Sequence, residues 1–101
     1  MRLLGIHHIA LNVRDLDQAE KFYTGILGFK IEKRFSNRLR HLMLSVGNSK
    51  IALFEVPDLD VQPHIEKLSI AGYMHFAFKI ERERFQLAVK KLRANNINIG
   101  D

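Results

Sequence analysis

Two six-residue stretches of this chain follow one plan. His8-Ile9-Ala10-Leu11-Asn12-Val13 and His75-Phe76-Ala77-Phe78-Lys79-Ile80 each open on a histidine, place an alanine two positions on, and set apolar residues between. Each is followed by a segment with helical spacing. Such a repeat constrains the fold more than composition does, because each copy is one supersecondary unit that needs a neighbour to bury its apolar face. Side chains alternate along a strand. His7, Ile9, Leu11 and Val13 therefore share a large apolar face that should pack on a helix. Ile6, His8, Ala10 and Asn12 share a smaller, more polar face suited to lining a cleft. In the second copy Phe76, Phe78 and Ile80 face one way, and His75, Ala77 and Lys79 the other.

The residues between the copies complete the first unit. Leu16, Ala19, Phe22, Tyr23, Ile26 and Leu27 recur at helical spacing and predict a helix over 16–27. Asp17, with Glu20 three residues on, is expected to cap it. Gly28 stands where a helix ends in the left-handed conformation. Strands are predicted over 5–13, 29–35, 38–46 and 50–56, with turns at Ser36-Asn37 and Gly47-Asn48. Pro57 ends this β-α-β-β-β run. A connection over 57–71, with a helical turn around 64–70, leads to a strand over 73–80 and a helix over 82–95. Phe85, Ala88, Val89 and Leu92 mark that helix and Asn95-Asn96 ends it. The chain thus reads as α+β: a first βαβββ module over 1–56, the connection, and over 72–101 the beginning of a second, apparently truncated module, all within one structural domain.

Composition excludes several chemistries. With no cysteine there are no disulfides, cysteine-based zinc sites, thiol nucleophiles or iron–sulfur clusters. Metal chemistry must run through the five histidines and the carboxylates. No apolar run reaches the roughly 20 residues of a membrane span, and residues 1–5 lack the apolar stretch of a signal peptide. A cytoplasmic protein without a membrane partner is expected. The net charge of +5 draws attention to Lys30, Lys33, Arg34, Arg38 and Arg40. They form either a solvated face or a patch for an anionic substrate, such as a glutathione conjugate or a CoA ester. Arg82, Arg84, Lys90, Lys91 and Arg93 are expected on the outer face of the second helix. An RNA-binding module is the distant alternative, because Gly72-Tyr73-Met74-His75-Phe76-Ala77-Phe78 faintly resembles an RNA-recognition strand. Ala71 stands where a basic residue is needed, however, and the phenylalanines would face the helix rather than the bases. No nucleic-acid partner is expected.

His8, Glu55 and His75 are the candidates for chemistry. Two imidazoles and a carboxylate, each on a predicted strand, make a sensible set for Zn, Ni, Mn, Fe or Co. Ala10 and Ala77 beside the histidines leave room for a metal and its ligand. The plain alternative for Glu55 is an edge-strand surface residue, with Phe54 and Val56 on the buried face. His7 reads as packed or surface-lying, and His64 as exposed. His41, alternating with Leu42 and Leu44, could line the cleft but reads first as structural.

Gly5-Ile-His-His-Ile-Ala-Leu-Asn-Val13, Asp15-Leu-Asp-Gln-Ala-Glu-Lys-Phe-Tyr23 and Leu27-Gly28-Phe29 closely resemble the opening of the vicinal-oxygen-chelate superfamily. That group holds glyoxalase I, methylmalonyl-CoA epimerase, the fosfomycin- and bleomycin-resistance proteins and the extradiol dioxygenases. Lys50-Ile-Ala-Leu-Phe-Glu55 resembles its fourth strand and Gly72-Tyr-Met-His75-Phe-Ala-Phe78 its fifth. The resemblance implies paired βαβββ modules around a divalent metal, with ligands falling on His8, Glu55 and His75. The eighth-strand ligand, usually Glu, has no position up to residue 101. It is expected from a longer protein; otherwise the chain does less than its relatives. The implied function is a divalent-metal glyoxalase-like isomerase or lyase, lactoylglutathione lyase-like or epimerase-like. It would act on a small oxygenated substrate through a metal-stabilised enolate and proton transfer, with Glu55 as ligand and base. Alternatives on the same fold are a non-catalytic, antibiotic-binding protein and an extradiol dioxygenase-like site. A homodimer is expected, because a half-built sheet leaves strand edges uncovered.

Overall fold

Leu42, Leu44, Ile51 and Leu53 are the largest fully buried side chains, and they are alternate residues of two adjacent strands. In the computed structural model, which describes residues 1–59 and 76–99, these strands are β3 (His41–Val46) and β4 (Ser49–Glu55). Gly47, at φ 53°, opens the two-residue turn between them. β2 (Lys30–Phe35) pairs antiparallel with β3, and β1 (Ile9–Val13) pairs parallel with β4. The sheet order is β1-β4-β3-β2. A bulge between Ile31 and Lys33 shifts the register of β2.

Parallel pairing of β1 with β4 needs a crossover, and the intervening helix lies on one face of the sheet. Its α-helical part, α1, is Leu16–Glu20, and a π-helical segment, Lys21–Ile26, continues it. The predicted 16–27 helix is therefore one body with two hydrogen-bond patterns. The wider turn has a local cause. Thr24 Oγ1 takes the Glu20 carbonyl at 2.7 Å, and Gly25 follows it, a residue that stabilises an α-helical turn poorly. The Leu27 N–H donates instead to the Phe22 carbonyl, at 3.0 Å. Asp15, rather than Asp17, is the cap: its Oδ1 accepts from the Gln18 N–H at 3.0 Å. Gly28 adopts φ 80°, the left-handed conformation expected of it. Leu16, Phe29, Ile9, Leu11, Val13, Tyr23 and Leu27 close the core over Leu42, Leu44, Ile51 and Leu53.

The chain divides into two units, Met1–Asp60 and Val61–Asp101, the division falling inside the expected connection. In the second unit a 3₁₀ turn (Arg82–Arg84) leads into α2 (Phe85–Ala94). Asn96, at φ 59°, turns the chain out of the helix. Ala88, Val89 and Leu92 are half-buried and the five basic residues of this segment are exposed, as their spacing predicts. Phe85, expected on the packed stripe, is exposed instead. Residues 76–80 are exposed and form no strand. Alternation specifies a strand only where a neighbouring strand supplies a ladder, so the pattern alone overstates order here. His64, His75, the predicted turn at 64–70 and most of the connection lie outside the described residues.

Candidate functional site

Register decides which residues share the sheet face opposite the helix. Ala10 lies beside Ala52, which lies beside Met43, which lies beside Lys33. Two residues along, Asn12, Phe54, His41 and Phe35 form a second row across all four strands. One step the other way, Lys50 lies beside Ser45 and Ser45 beside Lys30. His8 precedes β1 at this last, lysine-bearing end of the sheet.

His8 is exposed, and its Nδ1 lies 2.9 Å from Nδ1 of His7, the two rings nearly perpendicular. One of those nitrogens carries the shared proton. Nε2 of His8 makes no hydrogen bond among the described residues. An imidazole held through one nitrogen with the other available has the chemistry of a metal ligand.

Glu55 is placed elsewhere. It lies level with Val13, five residues on from His8, so at ~3.3 Å per residue the two are about 16 Å apart along the strands. It shares the helix-side face with Ile51 and Leu53. There its Oε2 accepts from the Leu16 N–H at 2.9 Å, and its Oε1 lies 3.4 Å from Arg40. The structure does not bring Glu55 to His8; it fastens the first residue of α1 to the end of β4. Phe54, expected on the buried face, is on the open face. The open-face residues of β4 are Lys50, Ala52 and Phe54, none of them a carboxylate. His75 lies outside the described residues. Among the described residues no three His, Asp or Glu side chains come together as a metal site. They supply one fitting imidazole, His8, and not a complete donor set.

The basic cluster divides by the same parity. Arg34 turns to the helix side and makes a two-pronged contact with Glu20, at 2.6 and 3.0 Å. That hydrogen bonding holds the Glu20 carboxyl below its ordinary pKa and raises the Arg34 guanidinium. Arg40 reaches Asp17 at 2.8 Å and is raised by it. The cations left on the open face are Lys30, Lys33 and Lys50, the last paired with Glu32 at 3.1 Å.

The same face carries a three-ring stack that the sequence, which offered His41 as a cleft-lining candidate read first as structural, did not reveal. His41 lies flat between Phe35 and Phe54, with ring centroids 4.3 and 4.5 Å away and interplanar angles of 2° and 16°. Lys33 Nζ lies 4.9 Å from the Phe35 centroid. The three rings are remote in sequence and meet only through register. The available signal was a histidine in a strand position of the same parity as two cross-strand aromatics.

A family model, the Glyoxalase/Bleomycin resistance protein/Dioxygenase superfamily, matches residues 5–101. Metallothiol transferase FosB of Staphylococcus epidermidis is 31% identical over 100 residues, covering 98% of this chain and 64% of that protein. The chain thus spans a little under two thirds of that relative's length. The fosfomycin resistance protein FosX from Listeria monocytogenes superimposes with a TM-score of 0.79 at 20% identity, over 99% of this chain and 72% of that one. A glyoxalase family protein from Enterococcus faecalis gives a TM-score of 0.79 at 24% identity, over 97% and 77%. These two likenesses show the fold. The Listeria protein has also been crystallised with Mn(II) and sulfate ion.

Proposed function

The chain belongs to the Glyoxalase/Bleomycin resistance protein/Dioxygenase superfamily, and from that premise we propose that it is a divalent-metal-dependent enzyme acting on a small, anionic, oxygenated substrate. The observation that carries this reading is the family match over residues 5–101, joined to a βαβββ sheet with His8 preceding β1 at the lysine-bearing end of the sheet. His8 and His75 are assigned as the imidazole ligands by their correspondence to the family pattern. A metal held there supplies Lewis-acid stabilisation of negative charge on a substrate oxygen. The chain's own residues supply attraction for the anion. Lys30, Lys33 and Lys50 give the open face a positive potential that Glu32 only partly offsets. Glu55 is engaged on the helix side and is not assigned to proton transfer.

The likeness to a metallothiol transferase supports a second reading, addition of a thiol to a small electrophile, beside glyoxalase-like isomerisation. Two assays on metal-loaded protein separate them: isomerisation of the glutathione–methylglyoxal hemithioacetal, and thiol addition to fosfomycin. The common premise is tested first. Protein purified without chelator is expected to hold Zn, Ni, Mn, Fe or Co, and His8→Ala and His75→Ala to lose it. Equal metal content in wild type and both variants removes the reading. A homodimer is also proposed, since β1 and β2 are the two edges of the described sheet. Light scattering should then give about twice 11.7 kDa.

A further inference from the structure

We propose that His7 is a positioning residue for the metal site: it accepts a hydrogen bond from Nδ1 of His8 and so fixes that ring with the lone pair of Nε2 free for a divalent cation. The inference rests on the reading above for one point, that His8 is a metal ligand. The part played by His7 is argued from geometry.

The contact is an aligned hydrogen bond. β1 and its ladder with β4 begin at Ile9. Residues 7 and 8 precede both, so no ladder holds their side chains on opposite faces, and the two rings can meet. Their Nδ1 atoms lie 2.9 Å apart. A ring nitrogen sits ~1.15 Å from its ring centre, so two imidazoles meeting head-on through Nδ1 at that distance would have centres about 5.2 Å apart. The observed separation is 5.1 Å. The N–H of one ring therefore points nearly straight at the lone pair of the other. The interplanar angle of 80° rules out stacking as the reason for the contact.

The proton count then assigns the roles. A neutral imidazole carries one N–H, and its other nitrogen keeps the lone pair. In a neutral pair one proton lies between the two Nδ1 atoms. The ring that owns it has its lone pair on Nε2. The accepting ring must carry its own proton on Nε2. One ring of the pair, and only one, can therefore take a cation through Nε2. With His8 as donor, His8 is the ligand and the single lone pair of His7 is engaged in holding it. The reverse arrangement would put a proton on Nε2 of His8. A cation on Nε2 draws charge from the ring and makes Nδ1–H a stronger donor, so metal binding and this direction of the bond reinforce each other. A ligating imidazole ordinarily gives its second N–H to a carboxylate, a backbone carbonyl or water. Among the described residues His8 meets neither of the first two, and His7 fills that place.

Zinc(II) titrations of the full chain, read by calorimetry, test the assignment. His7→Phe keeps a ring but offers no acceptor. It should bind zinc about tenfold more weakly than wild type, the lower end of the range for such partners, because both rings are exposed and water can replace His7 in part. His7→Asn, whose carboxamide oxygen can accept the same proton, should recover most of the loss. Nitrogen-15 spectra of zinc-loaded wild type give a check independent of any variant's folding. They should show Nδ1 of His8 protonated, Nδ1 of His7 unprotonated, and a coupling between the two nuclei across the hydrogen bond. A proton on Nδ1 of His7 in the loaded protein overturns the inference. So does a His7→Phe variant that binds zinc as tightly as wild type while His8→Ala has lost it. Zinc binding that survives in His8→Ala removes the ligand reading itself, and this inference with it.

Discussion

Replacing Glu55 by alanine separates two roles that one carboxylate could fill. In the structure it accepts from the backbone N–H of Leu16, the first residue of α1, at 2.9 Å. The first N–H groups of a helix have no partner within it, and the Asp15 side chain serves only that of Gln18. Glu55→Ala strips Leu16 of its acceptor. A hydrogen bond to a charged group contributes about 1.5–3 kcal/mol. The Glu55 side chain keeps 19% of its surface exposed, so water can replace part of that contact, and the lower end, about 1.5 kcal/mol, is expected. For a domain of this size each kcal/mol moves Tm by roughly 4–8 °C, so the melt should fall by about 6–12 °C. Glu55→Gln keeps an oxygen for Leu16 and should lose less than half as much. Far-UV circular dichroism at neutral pH reads both melts, and a metal titration on the same samples should be unchanged. An alanine variant that melts with wild type but binds metal tenfold more weakly would refute the helix-anchoring role and restore Glu55 as a ligand.

Three further perturbations probe the frame. Leu53 is 0% exposed at the centre of the core, so Leu53→Ala should cost about 2–5 kcal/mol in denaturant unfolding; a loss below about 1 kcal/mol would mean the core is misplaced. Gly28→Ala meets no atom within 4 Å of the added carbon but must adopt φ +80°, so about 1–2 kcal/mol of backbone strain is expected; an unchanged unfolding midpoint would contradict the left-handed helix end. Glu20 titrates below its ordinary value of 4.5 because Arg34 bonds its ionised form. Its contribution is therefore present above that pH and is lost as pH falls through the folded-state value. Glu20→Gln should flatten the acid side of the stability profile by a small, salt-sensitive amount, since Arg34 is largely exposed; identical profiles below pH 4.5 would dismiss the pair.

The parts of the fold legible in the sequence are those where one strand's own pattern carries the information. Ile9, Leu11 and Val13 alternate with Ala10 and Asn12, and both faces of β1 follow from that. Gly28 and Gly47 announce the positive φ angles they adopt. The helix over 16–27 was legible as an amphipathic body, but its π-helical half depends on Thr24 choosing the Glu20 carbonyl, which spacing does not reveal. The alternation over 73–80 resembles that of β1, yet the described part of it forms no strand, because a pattern of faces is a promise that only a paired neighbour fulfils.

The candidate site divides on the same physics. In β4 Ile51, Ala52 and Leu53 are all buried, so no alternation shows which face Glu55 takes. The face is set across the sheet: Leu53 lies beside Leu42, and Phe54 beside His41. Once β3 fixes that register, Glu55 must follow Leu53 to the helix side, because a one-residue slip would exchange the two faces of the whole strand. Placing Glu55 on the open face would require Ile51 and Leu53 to leave the core with it. At the ~1.5–3 kcal/mol that burial of each large aliphatic side chain contributes, the two together hold this register by roughly 3–6 kcal/mol. The same constraint stacks His41 between Phe35 and Phe54. One register therefore holds Glu55 on the helix side and stacks His41 between two phenylalanines on the open face.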